Sequence, residues 1–280
     1  MRSFLKFSFF ALLILSFCRC KQPTEPLNSQ EEKRKKIEII TNYGSMIIEL
    51  YNETPLHRDN MINLANNNAY DSLLFHRIIN EFMIQAGDPD SKRAQQNDTL
   101  GNGDAPYVVH AEFHNELFHK KGVLAAARDD HPQKASSAMQ FYIVQGKVFN
   151  DSLLGLAENR INKNKARDYF RNDISKKSLI DSIQYASDHY DLLKERYNVL
   201  MDSILSIANN EENFKSYFIP EKQREVYKSI GGTPHLDQNY TVFGELIKGM
   251  KVLDSIGGVA TNSLDRPLND VRIKTIKLLN

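Results

Sequence analysis

The apolar positions of this chain change their spacing twice. Between Lys36 and Leu50, the residues Ile37, Ile39 and Ile40 are followed by Met46, Ile47, Ile48 and Leu50, with Asn42-Tyr43-Gly44 between the groups. Near-alternating, β-branched residues on either side of turn chemistry predict two strands joined by a tight turn. Thr54-Pro55 then opens a helix, with Thr54 as N-cap, Pro55 at the first helical position, and Met61, Leu64 and Ala65 on the buried face. Short strand-like runs follow at 73–79, 82–86, 123–127 and 141–144, then at 240–246 and 271–278, with a short helix near 248–256. Many short strands and two short helices predict a mainly β fold closed into a barrel.

Between about Asn150 and Ser229 the period lengthens. Leu179, Ile183, Ala186, Tyr190, Leu193, Tyr197, Leu200, Ile204 and Ile207 follow at spacings of four and three. That stripe, held for about four heptads, predicts one long amphipathic helix. A weaker helical pattern over 156–170 precedes it, so the two could form a hairpin. The chain therefore divides into a barrel made of 37–149 and 231–280, and a helical insertion over 150–230. The stripe either packs on the preceding helix and the barrel or offers a coiled-coil or client-binding surface.

The first 20 residues read as an export signal. Arg2 and Lys6 precede an apolar run from Phe7 to Phe17, shorter than the roughly 20 residues that span a bilayer. Both cysteines of the chain, Cys18 and Cys20, sit at its end. A cysteine so placed resembles the lipobox of bacterial lipoproteins. Leu15-Ser16-Phe17-Cys18 matches it in part, with bulky Phe17 where a small residue is usual. Cys18 is the candidate lipidation site, and an ordinary cleaved signal is the alternative. The polar stretch 21–36 reads as a flexible tether. These features predict export across the inner membrane to the periplasm or outer membrane, with a lipid anchor. Lys and Arg total 36 against 35 Asp and Glu, so no net field points to nucleic acid. The pattern holds no phosphate loop or metal-ligand spacing, and neither a cofactor nor a metal is expected.

The candidate chemistry lies in Phe75-His76-Arg77-Ile78-Ile79-Asn80-Glu81-Phe82-Met83-Ile84-Gln85-Ala86-Gly87-Asp88-Pro89. If its two strands line one face, Arg77, Phe82, Met83 and Gln85 converge; from the pattern alone, a surface ion pair on a strand is the favoured reading. The stretch resembles the signature of the cyclophilins, F-H-R-[VI]-I-x-x-F-M-x-Q-x-G-D, at every fixed position. The likeness continues in order through Gly101-Asn102-Gly103, Gly122 to Arg128, Gln140 to Ile143, Leu236-Asp237 and Tyr240 to Gly244. It spans about 36–149 and 231–280.

The resemblance implies a peptidyl-prolyl cis–trans isomerase acting on proline-containing, unfolded or partly folded polypeptides. Arg77 matches the catalytic arginine. Phe82, Met83, Tyr142 and Leu236 match the proline-ring pocket, and Gln85 and Gln140 match residues that orient the peptide. Ala127 and Arg128 match positions that contact the residue before proline through the backbone. Tyr142 stands in place of the usual phenylalanine, and Tyr240 stands where many members carry histidine. His235 replaces a tryptophan that helps hold cyclosporin, and the segment Asp129 to Met139 lacks the usual Gly-Ser. His76 is expected on the opposite strand face from Arg77, in a structural role. The competing reading is a holdase or binding module with little turnover, gripping clients through the insertion.

Overall fold

The structure, a computed structural model, describes residues 33–279; Cys18, Cys20, the apolar run and most of the tether lie outside the described residues. In chain order the elements begin β1 (Lys36–Thr41), β2 (Gly44–Leu50), α1 (Pro55–Asn66), β3 (Phe75–Ile79) and β4 (Met83–Ala86). They continue with β5 (Val108–Val109), β6 (Val123–Ala126), β7 (Ser136–Ser137) and β8 (Phe141–Val144). The helices α2 (Asp151–Tyr169), α3 (Lys177–Asp188), α4 (Tyr190–Ala208) and α5 (Glu221–Ser229) come next, and β9 (Val242–Lys248), α6 (Met250–Gly257) and β10 (Ile273–Leu279) complete the chain.

Eight strands form one antiparallel sheet in the order β10-β1-β2-β9-β6-β8-β4-β3. Its two outer strands meet at a bridge between Leu74 and Arg272, flanked by Phe75 N–H donating to Val271 and Ile273 N–H donating to Leu73. Period-2 alternation then sorts the side chains between two faces. Ile84 and Ala86, Leu124 and Ala126, and Phe141 and Ile143 point into the barrel with Ile37, Ile39 and Ile48, where α1 contributes Met61 and Leu64 and α6 contributes Leu253 and Ile256. The intervening Met83, Ala125, Ala127, Tyr142 and Val144 gather on the outer face with Val242, against Phe82, Leu236 and Tyr240. This second apolar cluster forms the floor of the candidate site. A small ladder of β5 with β7, too short to register as a periodic pattern, holds the segment that precedes Gln140.

Thr54 is not the side-chain cap of α1: its hydroxyl makes no capping bond and is buried without a partner. The carboxylate of Glu112 does that work from a distant loop, accepting from Leu56 N–H and His57 N–H and contacting His57 Nδ1 at 2.7 Å. A charge-bearing acceptor at the positive end of the helix outcompetes a hydroxyl.

The single long helix is also corrected. The stripe breaks at His189 (φ −118°, ψ 35°), and Leu193 is again non-helical inside α4. A straight helix over 179–207 would outrun α2, which at 19 residues is about 28 Å long. Folding α3 back onto α4 lets the two halves of the stripe cover each other: Ile183 packs with Met201, Ile204 and Ala208, joined by Ala166 of α2 and by Phe170 just after it. The chain leaves the barrel at Lys147 and returns at Gly232, where each residue's N–H donates to the other's carbonyl. A Cβ on Gly232 would sit 2.2 Å from the His119 carbonyl oxygen, so this clamp requires glycine.

Candidate active site

A cleft of about 180 Å³ on the outer face is lined by Arg77, Phe82, Met83, Gln85, Ala127, Arg128, Tyr142, Leu236 and Tyr240. Nine of the positions singled out in the sequence thus converge. The tenth, Gln140, does not line the cleft. It is buried behind Gln85, taking a 3.0 Å bond from Gln85 Nε2 and donating to the carbonyls of Gly101 and Gly103. The N–H of Ala127 donates to Gln140 and its carbonyl accepts from Ser137, so Ala127 is tied into the sheet and loop by its backbone. The Arg128 guanidinium bonds the carbonyl and side-chain oxygens of Asn239 and lies 4.9 Å from the centroid of Tyr240.

The signature residues that do not touch the cleft hold it in shape. Gly87 has φ +104°, and a Cβ there would lie 2.1 Å from the Met139 carbonyl oxygen. Asp88, fully buried, accepts from Gly101 N–H and Asp90 N–H. Asp104 accepts from Ala138 N–H and Met139 N–H, anchoring the loop that lacks the usual Gly-Ser.

Arg77 lies beside a β-bulge. Phe75 pairs with Ala86 and Arg77 with Gln85, so His76 is an extra residue on β3. His76 therefore does not face away from Arg77 as simple alternation predicts. Both border a second cavity of about 320 Å³, together with Gly101, Asn102, Leu264 and Arg266. Burial pushes the His76 imidazole down to about 4, against an opposing pull from Asp88. Arg77 Nε sits 3.4 Å from Asp265 Oδ2, with both side chains more than a third exposed. At the opposite rim His235 stacks on Phe82 at 5.5 Å and 22°. Burial, followed by the charge of Arg160, holds its imidazole down to about 3.

Under the cleft floor runs a set of polar side chains that the sequence pattern did not reveal. The Tyr142 hydroxyl is 3.0 Å from His119 Nε2, and His119 Nδ1 is 2.9 Å from Asp237 Oδ1. Asp237 Oδ1 also accepts from His119 N–H, and Asp237 Oδ2 accepts from the Tyr227 hydroxyl at 2.7 Å. All four residues are buried. Burial raises both tyrosines well above the usual phenolic value, so each keeps its proton. No group of three or more His, Cys, Asp or Glu among the described residues could hold a metal ion.

An antiparallel barrel carrying an apolar outer cleft, with the guanidinium groups of Arg77 and Arg128 in its lining, defines a protein built to hold and turn a peptide segment. The profile described as cyclophilin type peptidyl-prolyl cis-trans isomerase/CLD matches residues 36–152 and 157–278, and the chain belongs to that family. A putative peptidyl-prolyl cis-trans isomerase of Staphylococcus haemolyticus is 27% identical over 247 residues, covering 88% of this chain and 92% of that protein. A putative bifunctional phosphatase/peptidyl-prolyl cis-trans isomerase of Streptococcus pyogenes is 28% identical over 257 residues, and the match covers 91% of this chain but only 41% of that longer protein. The crystal structure of a Cryptosporidium parvum cyclophilin-type isomerase shares the fold, with a TM-score of 0.51 at 19% identity over 88% of this chain and 98% of that one.

Proposed function

We propose that this isomerase turns X–Pro bonds of polypeptides folding after export, with Arg77 as its catalytic charge. The observation that carries this is the meeting of Arg77 and the Phe82, Met83, Tyr142 and Leu236 wall in one cleft. Rotation about an X–Pro bond breaks amide resonance against a barrier of about 18–20 kcal/mol. In the twisted state the nitrogen lone pair is no longer shared with the carbonyl and becomes a better hydrogen-bond acceptor. A guanidinium aimed at it binds that state more tightly than the planar one, which is the condition for acceleration. Arginine suits the task because it stays charged and presents a rigid fork of donors. The apolar wall grips the proline ring while the preceding carbonyl swings. Gln85, held by Gln140, and the main chain of Arg128 align the peptide on either side. No bond is made or cut, so no nucleophile is needed.

Export is supported by the apolar run 7–17 ending at Cys18 and Cys20, and proteins folding beyond the inner membrane also wait on proline steps of tens of seconds. Membrane fractionation of Cys18→Ser and Cys20→Ser cells tests the anchor; retention in the membrane by both single variants and the double variant would defeat it. Catalysis is tested by exchange NMR on an Ala-Pro peptide. Loss of the catalytic guanidinium in Arg77→Ala should lower the rate by at least about 10²-fold. A folded wild-type protein without acceleration, or an Arg77→Ala variant of full activity, would refute the assignment.

A second contribution, client binding by the insertion, is favoured by one observation. Large apolar side chains stand exposed there, with Ile174 90%, Leu192 85% and Val199 63% accessible. Leu192→Asp should then weaken suppression of client aggregation without changing peptide turnover; unchanged suppression would refute this role.

A further inference from the structure

The insertion reaches the proline pocket through Tyr227. This residue lies on α5, is fully buried, and has its ring edge-on to Phe118 at 5.4 Å. Its hydroxyl ends in the barrel, on Asp237 Oδ2. A carboxylate oxygen only accepts, so His119 Nδ1 carries a hydrogen toward Asp237 Oδ1. In that tautomer of the neutral ring, His119 Nε2 accepts from the Tyr142 hydroxyl. Every donor in the chain Tyr142 to His119 to Asp237 to Tyr227 meets an acceptor. The Tyr142 ring is fixed from two further sides, by His119 stacked at 13° and by Tyr240 edge-on at 83°.

Both Tyr142 and Tyr240 line the cleft, and Asp237 directly follows Leu236, which lines it too. A second contact from the insertion meets the same wall: α2 packs against the 3-10 turn Pro234–Leu236, whose His235 stacks on Phe82. The wall that grips the proline ring is thus braced from behind by insertion helices at Tyr227 and at α2.

We propose that Tyr227 is a positioning residue for the isomerase: through Asp237 and His119 it fixes the Tyr142 hydroxyl, and so the insertion sets the shape of the proline pocket. This rests on the isomerase reading of the cleft. A pocket wall free to shift would still admit the ring but would let it follow the swinging carbonyl. The defect therefore falls on the turnover step more than on binding.

The test uses the full chain with Tyr227→Phe, Tyr142→Phe and the double variant, and measures kcat and KM on an Ala-Pro peptide at low temperature. Removing one hydroxyl from a buried chain should lower kcat by about 5-fold, with KM shifting less than about 2-fold. Tyr142→Phe should give a similar loss, and the double variant should be no worse than the poorer single one, because both cut one chain. Ile204→Ala, which loosens the insertion core without touching the chain, should leave kcat unchanged. An unchanged kcat in Tyr227→Phe, two losses that multiply, or an equal loss in Ile204→Ala would overturn the proposal.

Absence of turnover in the wild-type protein would sink the isomerase reading instead. The hydrogen-bond chain is then read by NMR in Tyr142→Phe, which needs neither turnover nor a folded Tyr227→Phe. A shift of the Tyr227 hydroxyl proton and the His119 ring nitrogens is expected, and unmoved resonances would refute the chain.

Discussion

Acidification tests the buried imidazole of His76. Its folded value, about 4, lies below the ordinary 6.5 because burial disfavours the charged ring. The folded state binds the proton more weakly, so the unfolded state holds more protons between those two values. Stability is therefore complete above about pH 6.5 and is lost as the pH falls toward 4. At about pH 5 the unfolded ring is almost fully protonated and the folded ring mostly is not, a loss of about 2 kcal/mol relative to pH 7. His235, held down to about 3, titrates with the same sign and adds a further loss over the same window. Burial pulls the Glu112 and Asp168 carboxyls upward, but their bonded partners, His57 for one and Arg171 and Lys134 for the other, hold them below the usual carboxylate range, and they contribute little above pH 5. Against a total stability of about 5–15 kcal/mol the effect is large. Urea unfolding followed by circular dichroism at pH 7, 6 and 5 should show it, and His76→Leu should remove about 2 kcal/mol of the pH dependence. A wild-type stability that is flat from pH 7 to 5, or a His76→Leu variant with the wild-type slope, would refute the buried neutral imidazole.

Four substitutions test the supports of the site and of the insertion, each read by chemical denaturation. Gly87→Ala forces a Cβ against the Met139 carbonyl at a φ that side chains rarely adopt, and should cost at least about 3 kcal/mol. Glu112→Ala strands the first amides of α1 and the His57 ring and should cost about 2 kcal/mol, whereas Thr54→Val, which removes a hydroxyl that bonds nothing, should stay within about 0.5 kcal/mol of wild type. Ile204→Ala empties a buried position shared by three helices and should cost about 2–5 kcal/mol, seen as early loss of helical signal.

What could be read from the sequence was what neighbouring residues settle among themselves. The apolar runs place the barrel strands to within a few residues, and the pleat of β4, β6 and β8 carries Met83, Ala125 and Tyr142 to one face without further information. The signature is legible for the same reason: Gly87 and Asp88 sit beside the strand they shape. Where the sequence reading failed, a competing contact came from far along the chain. Thr54 has the chemistry of a cap, but Glu112, more than fifty residues away, supplies the stronger acceptor. The stripe over 179–207 has the period of one helix, but the limited length of α2 makes folding back at His189 the better way to cover it. His76 breaks the alternation because of a bulge, and one extra residue leaves no mark in a two-residue period.

Tyr142 shows the two kinds of information meeting at one residue. Its place in the order of motifs assigns its ring to the proline pocket, and the strand period alone turns that ring outward. The hydroxyl it carries in place of a hydrogen is different: buried, it costs stability unless an acceptor is present. That acceptor is His119, 23 positions earlier, whose other nitrogen faces Asp237, 118 positions later. Asp237 in turn holds Tyr227 of the insertion. A ring hydroxyl that requires a partner, and a helical insertion that delivers the last group of that partner's chain, form one packing solution. The departure from phenylalanine at Tyr142 and the presence of Tyr227 on α5 are therefore best understood as two ends of the same buried network.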